Sequence, residues 1–229
     1  MRRLIRDVSW VLIIAGVLML IDAGLTLVWQ EPVTAVIAMV RQGAINQRYL
    51  SYRDVPLSVA DRTALRGLTT ESQRIAFLAR REAGQVPTGA AIGRIVIARI
   101  GVSYDVVQGT DTASLERGPG HYPSTAFPGL GQTVAIAGHR TTYLAPFRNI
   151  NQLHAGDRIV LQMPYATFTY VVQFDRVVTP MAWWITRDVG YERLVLSACN
   201  PLYSAAQRIV VFARLSQVRP NPAALATRV

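Results

Sequence analysis

Lysine is missing from this chain of 229 residues, so the formal charge of +10 is carried by arginine alone. Such one-sided usage points to a GC-rich genome more than to a nucleic-acid partner. The arginines run from Arg2 to Arg228 without gathering into the basic, aromatic-laced stripe of a nucleic-acid face. No nucleic acid is expected. Cysteine is almost as scarce: Cys199 stands alone, which excludes an internal disulfide. Three scattered histidines and one cysteine have no metal-ligand spacing, and no D-x-D-x-D-G loop is present, so neither a metal nor another cofactor is expected. Charged residues make up only 17% of the chain and hydrophobic ones 51%, enough to build a core and spare a membrane segment, which excludes a disordered protein.

What is present begins with a long apolar run. Val8 to Trp29 (VSWVLIIAGVLMLIDAGLTLVW) is long enough, at about 1.5 Å per residue, to cross a hydrocarbon layer of about 30 Å. Arg2, Arg3 and Arg6 precede it, so the N-terminus is expected in the cytoplasm and the remainder outside. The run exceeds the apolar region of a signal peptide and closes on no A-x-A-like site, which favours a retained single-pass anchor in the cell membrane over a cleaved leader. The positive charge suits anionic membrane lipids.

Residues 1–30 are thus read as a cytoplasmic end and anchor. Val33 to Val40 is apolar but too short to span. Residues 31–88, arginine-rich and with helical spacing at Ile75, Phe77 and Leu78, are expected to form a partly helical stalk, or else a helix packed on the domain that follows. From residue 89 to 218 the texture turns to short β-rich runs: Ile92 to Ile100, Val102 to Val107, Thr133 to Ala137, Arg158 to Met163, Thr167 to Val178, Arg193 to Ala198 and Arg208 to Leu215. Seven to eight strands and few helices predict a mostly β fold, a barrel or a sandwich. Asp111 to Arg117 reads as one short capped helix and Leu144 to Leu153 as holding another turn. Residues 219–229 read as a flexible tail.

Chemistry centres on the lone thiol. An exported single cysteine is either a small core residue or a deliberately reactive group. Cys199 ends the strand-like LVLSA and is followed at once by Asn200 and Pro201. Arg208 opens the next apolar run. If the two runs pair across the loop NPLYSAAQ, Arg208 returns beside Cys199, where a cation favours the thiolate and a guanidinium can hold a developing oxyanion. His139 ends another strand-like run, TVAIAG, and titrates in the range that acyl transfer needs. Each residue alone has a bland reading; together they describe a thiol nucleophile, an acid/base and a fixed cation.

The segment from Ile97 to Leu161, with GHRTTYLAPF at 138–147, and LVLSACNPLYSAAQRIVVFARL after it, resembles the sortases, closest to the class E group of actinobacteria. The resemblance implies a closed eight-stranded β-barrel of sortase type, with short helices, holding His139, Cys199 and Arg208 in one groove. It implies a cysteine transpeptidase in which Cys199 attacks the Thr-Gly bond of a C-terminal LAxTG- or LPxTG-like sorting signal on a surface protein. The acyl group then passes to an amine of a peptidoglycan precursor, lipid II, with hydrolysis as a side activity. Tyr143 matches a tyrosine linked to preference for LAxTG-like signals, and His121 matches a loop histidine that is structural or lines the groove.

One departure falls beside the thiol. The family commonly places threonine before its cysteine; here Ala198 stands there, with Ser197 one place earlier. Substrate contacts are therefore expected from Tyr143, Ser197, Ala198 and His121, with the departure bearing on preference rather than on the reaction. Other exported cysteine enzymes fit less well: an NlpC/P60-like endopeptidase has cysteine before histidine, and an L,D-transpeptidase expects an S-x-G-C context. A tethered β-barrel that binds wall or partner proteins without catalysis is the alternative from another class.

Overall fold

The computed structural model describes residues 2–29, 36, 39, 40, 42, 43 and 57–222. Most of the apolar run Val33 to Val40, the middle of the expected stalk and the tail beyond residue 222 lie outside the described residues. Helix α1 spans Arg2–Trp29, and its stretch Arg6–Gly24 is long and apolar enough to cross a membrane, with none of it buried against the protein. Among the described residues nothing covers this helix, which is consistent with a single-pass anchor.

Two amphipathic helices follow. In α2 (Val59–Arg66) Ser58 and Asp61 form a reciprocal capping box, and in α3 (Glu71–Gln85) Thr70 and Gln73 do the same. Both boxes satisfy N–H groups that a helix start otherwise leaves orphaned. Arg81 pairs with Asp61 at 2.9 Å and ties the two helices together. Leu65, Ile75, Leu78 and Ala79 belong to the same buried cluster as the strands, so of the two readings offered for this region a packed helix describes residues 59–85.

Eight strands close into a barrel: β1 (Ala91–Ile97), β2 (Val102–Gln108), β3 (Gly120–His121), β4 (Thr133–Ala137), β5 (Arg158–Gln162), β6 (Ala166–Val178), β7 (Arg193–Asn200) and β8 (Gln207–Pro220). Their order around the barrel is β1-β2-β3-β4-β7-β8-β6-β5, with β5 returning to β1. A short helix α4 (Thr112–Leu115), capped by Asp111, lies between β2 and β3, and 3₁₀ turns occupy Ala98–Ile100, Ile150–Gln152 and Trp183–Thr186. The first expected strand stops at Ile97 because Gly101 reverses the chain in the left-handed region at φ 68°.

Alternation along β6 and β7 sends Phe168, Tyr170, Val172, Leu194, Leu196 and Ala198 into the core. Val195, Val210, Phe212 and Ala135 form a smaller apolar cluster on the outer face. At the start of β7, Glu192 ties the 129–131 loop to β6. Its carboxylate accepts from the Gly129 and Gly131 N–H groups and, at 2.7 Å, from the Tyr170 hydroxyl. Gly129 has φ 95°, and a Cβ there would lie 2.6 Å from Ile75, so both backbone and packing demand glycine.

Candidate active site

Three neighbouring strands end together. β4 runs parallel to β7 from Thr133↔Arg193 to Ala137↔Ser197, and the Gly138 N–H still donates to the Ser197 carbonyl at 3.0 Å, which carries His139 up to the end of β7. β8 runs antiparallel to β7 with Cys199 directly opposite Arg208, the pairing expected from the two apolar runs. Directly opposed residues share a face with Cβ atoms about 5 Å apart. Leu194, Leu196 and Ala198 point inward, so Ser197 and Cys199 point outward, in line with Val195. His139, Cys199 and Arg208 therefore sit side by side at the ends of β4, β7 and β8.

Cys199 is partly exposed. The Arg208 Nη1 donates to the carbonyls of Ala205 and Gln207, both at 2.9 Å, bracing the guanidinium on its own loop. Its Nε and Nη2 hydrogens stay available for an oxyanion, since a guanidinium carries five donors. His139 is half-buried against the Tyr143 ring, centroids 5.2 Å apart, and its Nε2 is buried with no hydrogen-bond partner among the described residues. Burial lowers the His139 pKa below its ordinary value, and the nearby Glu116 carboxylate pulls it back up. Glu116 in turn accepts from the Tyr143 hydroxyl at 3.0 Å.

The loop after His139 is held in an uncommon shape. Tyr143, Leu144 and Ala145 all have positive φ (49°, 65° and 41°), each costing about 1–2 kcal/mol for a residue with a Cβ. The turn persists because Ala145 and Phe147 are buried and the Phe147 N–H donates to the His139 carbonyl at 3.0 Å. The Phe147 ring lies where a Cβ on residue 138 would sit, 2.5 Å away, which is why glycine precedes the histidine. Strain held by packing in this way is typical of functional loops.

Arg140, which the sequence reading passed over, is 6% exposed and ties the site together. Its guanidinium donates to the Arg148 carbonyl, the Asn151 and Asn200 side chains, and the Cys199 carbonyl at 3.4 Å. Burial first, and the Arg148 charge second, lower its pKa, while the charge of Cys199 raises it, so the two groups feel each other. The signal for this residue was an arginine directly after the histidine, but its partners come from distant loops.

The remaining expected contacts divide. Tyr143 is beside His139. Ser197 faces outward yet is covered by Tyr122, whose hydroxyl lies 3.0 Å from Ser197 Oγ. Ala198 points into the core, where alternation must send the residue before Cys199, so its side chain does not line the groove. His121 is 1% exposed. Its Nε2 donates to the Ala126 carbonyl at 3.0 Å, its Nδ1 lies 2.8 Å from the Gln108 amide, and burial pushes its pKa down to about 4. That ring is a neutral strut between β2 and the following loop, and the structure does not bring it to the groove. Among the described residues no group of three or more His, Cys, Asp or Glu is placed to hold a metal ion.

With this geometry in hand, residues 95–216 match the sortase domain family. The chain is 31% identical over 131 residues to sortase D of Bacillus subtilis, covering 56% of this chain and 65% of that one. It is 27% identical over 158 residues to a sortase E1 of Streptomyces coelicolor, covering 62% and 45%. The chain therefore spans less than two thirds of these curated relatives. Among solved structures, sortase E from Streptomyces avermitilis superimposes with a TM-score of 0.54 at 32% identity, over 61% of this chain and 99% of that one. A Clostridium perfringens sortase D5 transpeptidase superimposes at 0.62 with 22% identity, over 78% and 99%, a likeness of fold.

Proposed function

The chain belongs to the sortase family, and on that premise we propose that it is a membrane-anchored cysteine transpeptidase acting on C-terminal sorting signals. The observation that supports this most is the register that sets His139, Cys199 and Arg208 side by side at three strand ends. Its clients are surface proteins with an LAxTG- or LPxTG-like signal, and its acceptor is an amine of a peptidoglycan precursor such as lipid II. Helix α1 serves as the single-pass anchor, with the N-terminus inside and the barrel outside. The catalytic domain is residues 89–218, and the helices at residues 59–85 pack on it through Leu65, Ile75 and Leu78. Likeness to the sortase E structure favours class E.

The Cys199 thiolate attacks the threonine carbonyl, and the Arg208 Nε and Nη2 hydrogens receive the oxyanion. Collapse breaks the Thr-Gly bond, and the His139 imidazolium gives its proton to the departing glycine amine. A thioester remains. Neutral His139 then takes a proton from the incoming amine as it attacks, and the thiolate leaves. Because burial disfavours the charged imidazole, the imidazolium is a minor population, sustained by the Glu116 carboxylate.

The test uses the full chain with LAxTG and LPxTG peptides and an oligoglycine amine, products being separated by chromatography. Amine-linked product and free glycine-bearing fragment are expected from at least one peptide. If neither forms, and Cys199→Ala anchors surface proteins in cells as wild type does, the tethered binding module is the better reading.

A further inference from the structure

Strand β3 is too short to cover the edge of β2. Its parallel ladder joins the Gly109 N–H to the His121 carbonyl at 3.0 Å and the Val107 N–H to the Pro119 carbonyl at 2.9 Å. One step earlier the same pattern would bring the Asp105 N–H to the Arg117 carbonyl, but the side-chain amide of Gln42 stands between them. The Asp105 N–H donates to Gln42 Oε1 at 2.9 Å, and Gln42 Nε2 donates to the carbonyls of Asp105, at 3.2 Å, and of Arg117. A side-chain amide offers the donor and acceptor of a peptide unit, so Gln42 supplies the rung that β3 lacks. Gly118 leaves room for it, since a Cβ there would fall on the Gln42 amide nitrogen. The Asp105 carboxylate is taken by Arg94 of β1 at 2.9 Å, and it is the Asp105 backbone that meets Gln42.

The far side of this rung leads to the active site. Arg117 closes the single turn of α4, its N–H donating to the Ser114 carbonyl, and its side chain donates to the Gly89 carbonyl at 3.1 Å. Glu116, one residue earlier, accepts from the Tyr143 hydroxyl at 3.0 Å and carries the charge that His139 feels. Met39, Gln42 and Gly43 also line a cavity together with Tyr104 and Leu144. The Tyr104 hydroxyl donates to the Leu144 carbonyl at 3.4 Å, within the positive-φ turn that follows His139. The residues around Gln42 therefore border both segments that give His139 its neighbours, the end of α4 and the Tyr143–Leu144 turn.

We infer that Gln42 is a positioning residue: by bridging β2 and Arg117 it holds the end of α4 so that Glu116 stays on Tyr143 beside the His139 ring. Its own hydrogen bonds lie on Asp105 and Arg117, and its effect passes through the backbone to the carboxylate. Without the rung, no strand partner ties Arg117 to this stretch of β2, because β3 pairs only at Val107 and Gln108. The charged and titratable groups around the His139 ring are Arg140 and Tyr143 of its own loop, Glu116, Cys199 on β7 and Arg208 on β8. Glu116 is the one that Gln42 can move. The consequence for turnover rests on the transpeptidase reading, whereas the link from Gln42 to His139 does not.

The test follows the His139 ring by NMR in the full chain held in detergent micelles, with ¹³C-labelled histidine and the signal assigned by its absence from His139→Gln. Gln42→Met keeps the bulk of the side chain and removes its three hydrogen bonds. The His139 titration midpoint is expected to fall in Gln42→Met, in the same direction as in Glu116→Gln, and the double variant should titrate where Glu116→Gln does. Sorting-peptide cleavage should drop by about threefold in each single variant and by no more in the double. Gln42→Ala, which loses the bulk as well, should titrate like Gln42→Met and serves in its place if that variant does not fold. An unchanged midpoint overturns the inference, and a lowered urea midpoint beside it would make the rung a structural tie only. A double variant that titrates below Glu116→Gln also overturns it, because Gln42 then acts by a route that bypasses the carboxylate. If wild type cleaves no sorting peptide, the transpeptidase reading fails while the titration still decides on Gln42.

Discussion

The two ends of β7 treat buried polar groups in opposite ways. At its start, Glu192 has both oxygens occupied by two glycine N–H groups and the Tyr170 hydroxyl. About seven residues and ~23 Å along, His139 Nε2 is buried with no partner among the described residues, beside a partly exposed thiol. A satisfied buried network stabilises one shape; an unsatisfied buried atom costs stability and is kept where a substrate completes it. The first end is a clamp and the second the proposed site of chemistry, and single substitutions should separate the two.

The largest effect is expected from Cys199→Ala, which should lower peptide cleavage by about 10⁴-fold or more while leaving the urea midpoint unchanged. Glu192→Ala should do the reverse. It orphans a buried hydroxyl and two N–H groups, at about 1–3 kcal/mol each, and should lower unfolding free energy by roughly 3 kcal/mol or more with activity per folded molecule retained. If Glu192→Ala abolishes activity in protein that is still folded, the division between the two ends fails.

Glu82 tests whether an unsatisfied buried acid outside the groove carries only a cost. It sits on α3, 5% exposed, with Oε1 unpartnered among the described residues, and burial pushes its pKa up to about 8. The folded chain then holds a proton that the unfolded chain releases near pH 4.5, so this contribution to stability is complete below pH 4.5 and is lost as pH rises toward 8. Denaturant titrations should find wild type weaker at pH 8 than at pH 5 by on the order of 3 kcal/mol from this group. Glu82→Gln should flatten that slope and leave peptide turnover alone.

Smaller effects are expected within the site. Arg140→Lys loses the fork that joins Asn151, Asn200 and the Cys199 carbonyl, and should slow both peptide cleavage and iodoacetamide labelling of Cys199 by about tenfold. Glu116→Gln keeps an acceptor for Tyr143 but removes the charge that raises the His139 pKa. The acid limb of the pH-rate profile should move to lower pH and the maximal rate fall a few-fold. An acid limb that moves upward would contradict the assigned role of Glu116.

Much of this layout was legible in the residues. Thr133 to Ala137 and the Cys199/Arg208 pairing follow from apolar runs separated by a short loop, which leaves few ways to pair. β3 was missed because Gly120 and His121 are too few to display alternation. The parallel contact of β4 with β7 joins residues some sixty apart, and no local pattern encodes it. The inward turn of Ala198 was available from the alternation of Leu194, Leu196 and Ala198, whereas the burial of His121 depends on Gln108 and Ala126 closing around it. Arg140 escaped for the same reason: its role exists only once three loops have met.

The most direct measurement is the intact mass of the full chain after brief mixing with an LAxTG peptide and no added amine. The expected spectrum carries wild type heavier by the acyl fragment up to threonine, the addition mapping to Cys199, vanishing on adding amine and absent from Cys199→Ala. Cleavage without any adduct, or an adduct that survives in Cys199→Ala, would contradict the thioester route and with it the reading of the β7 end as the site of chemistry.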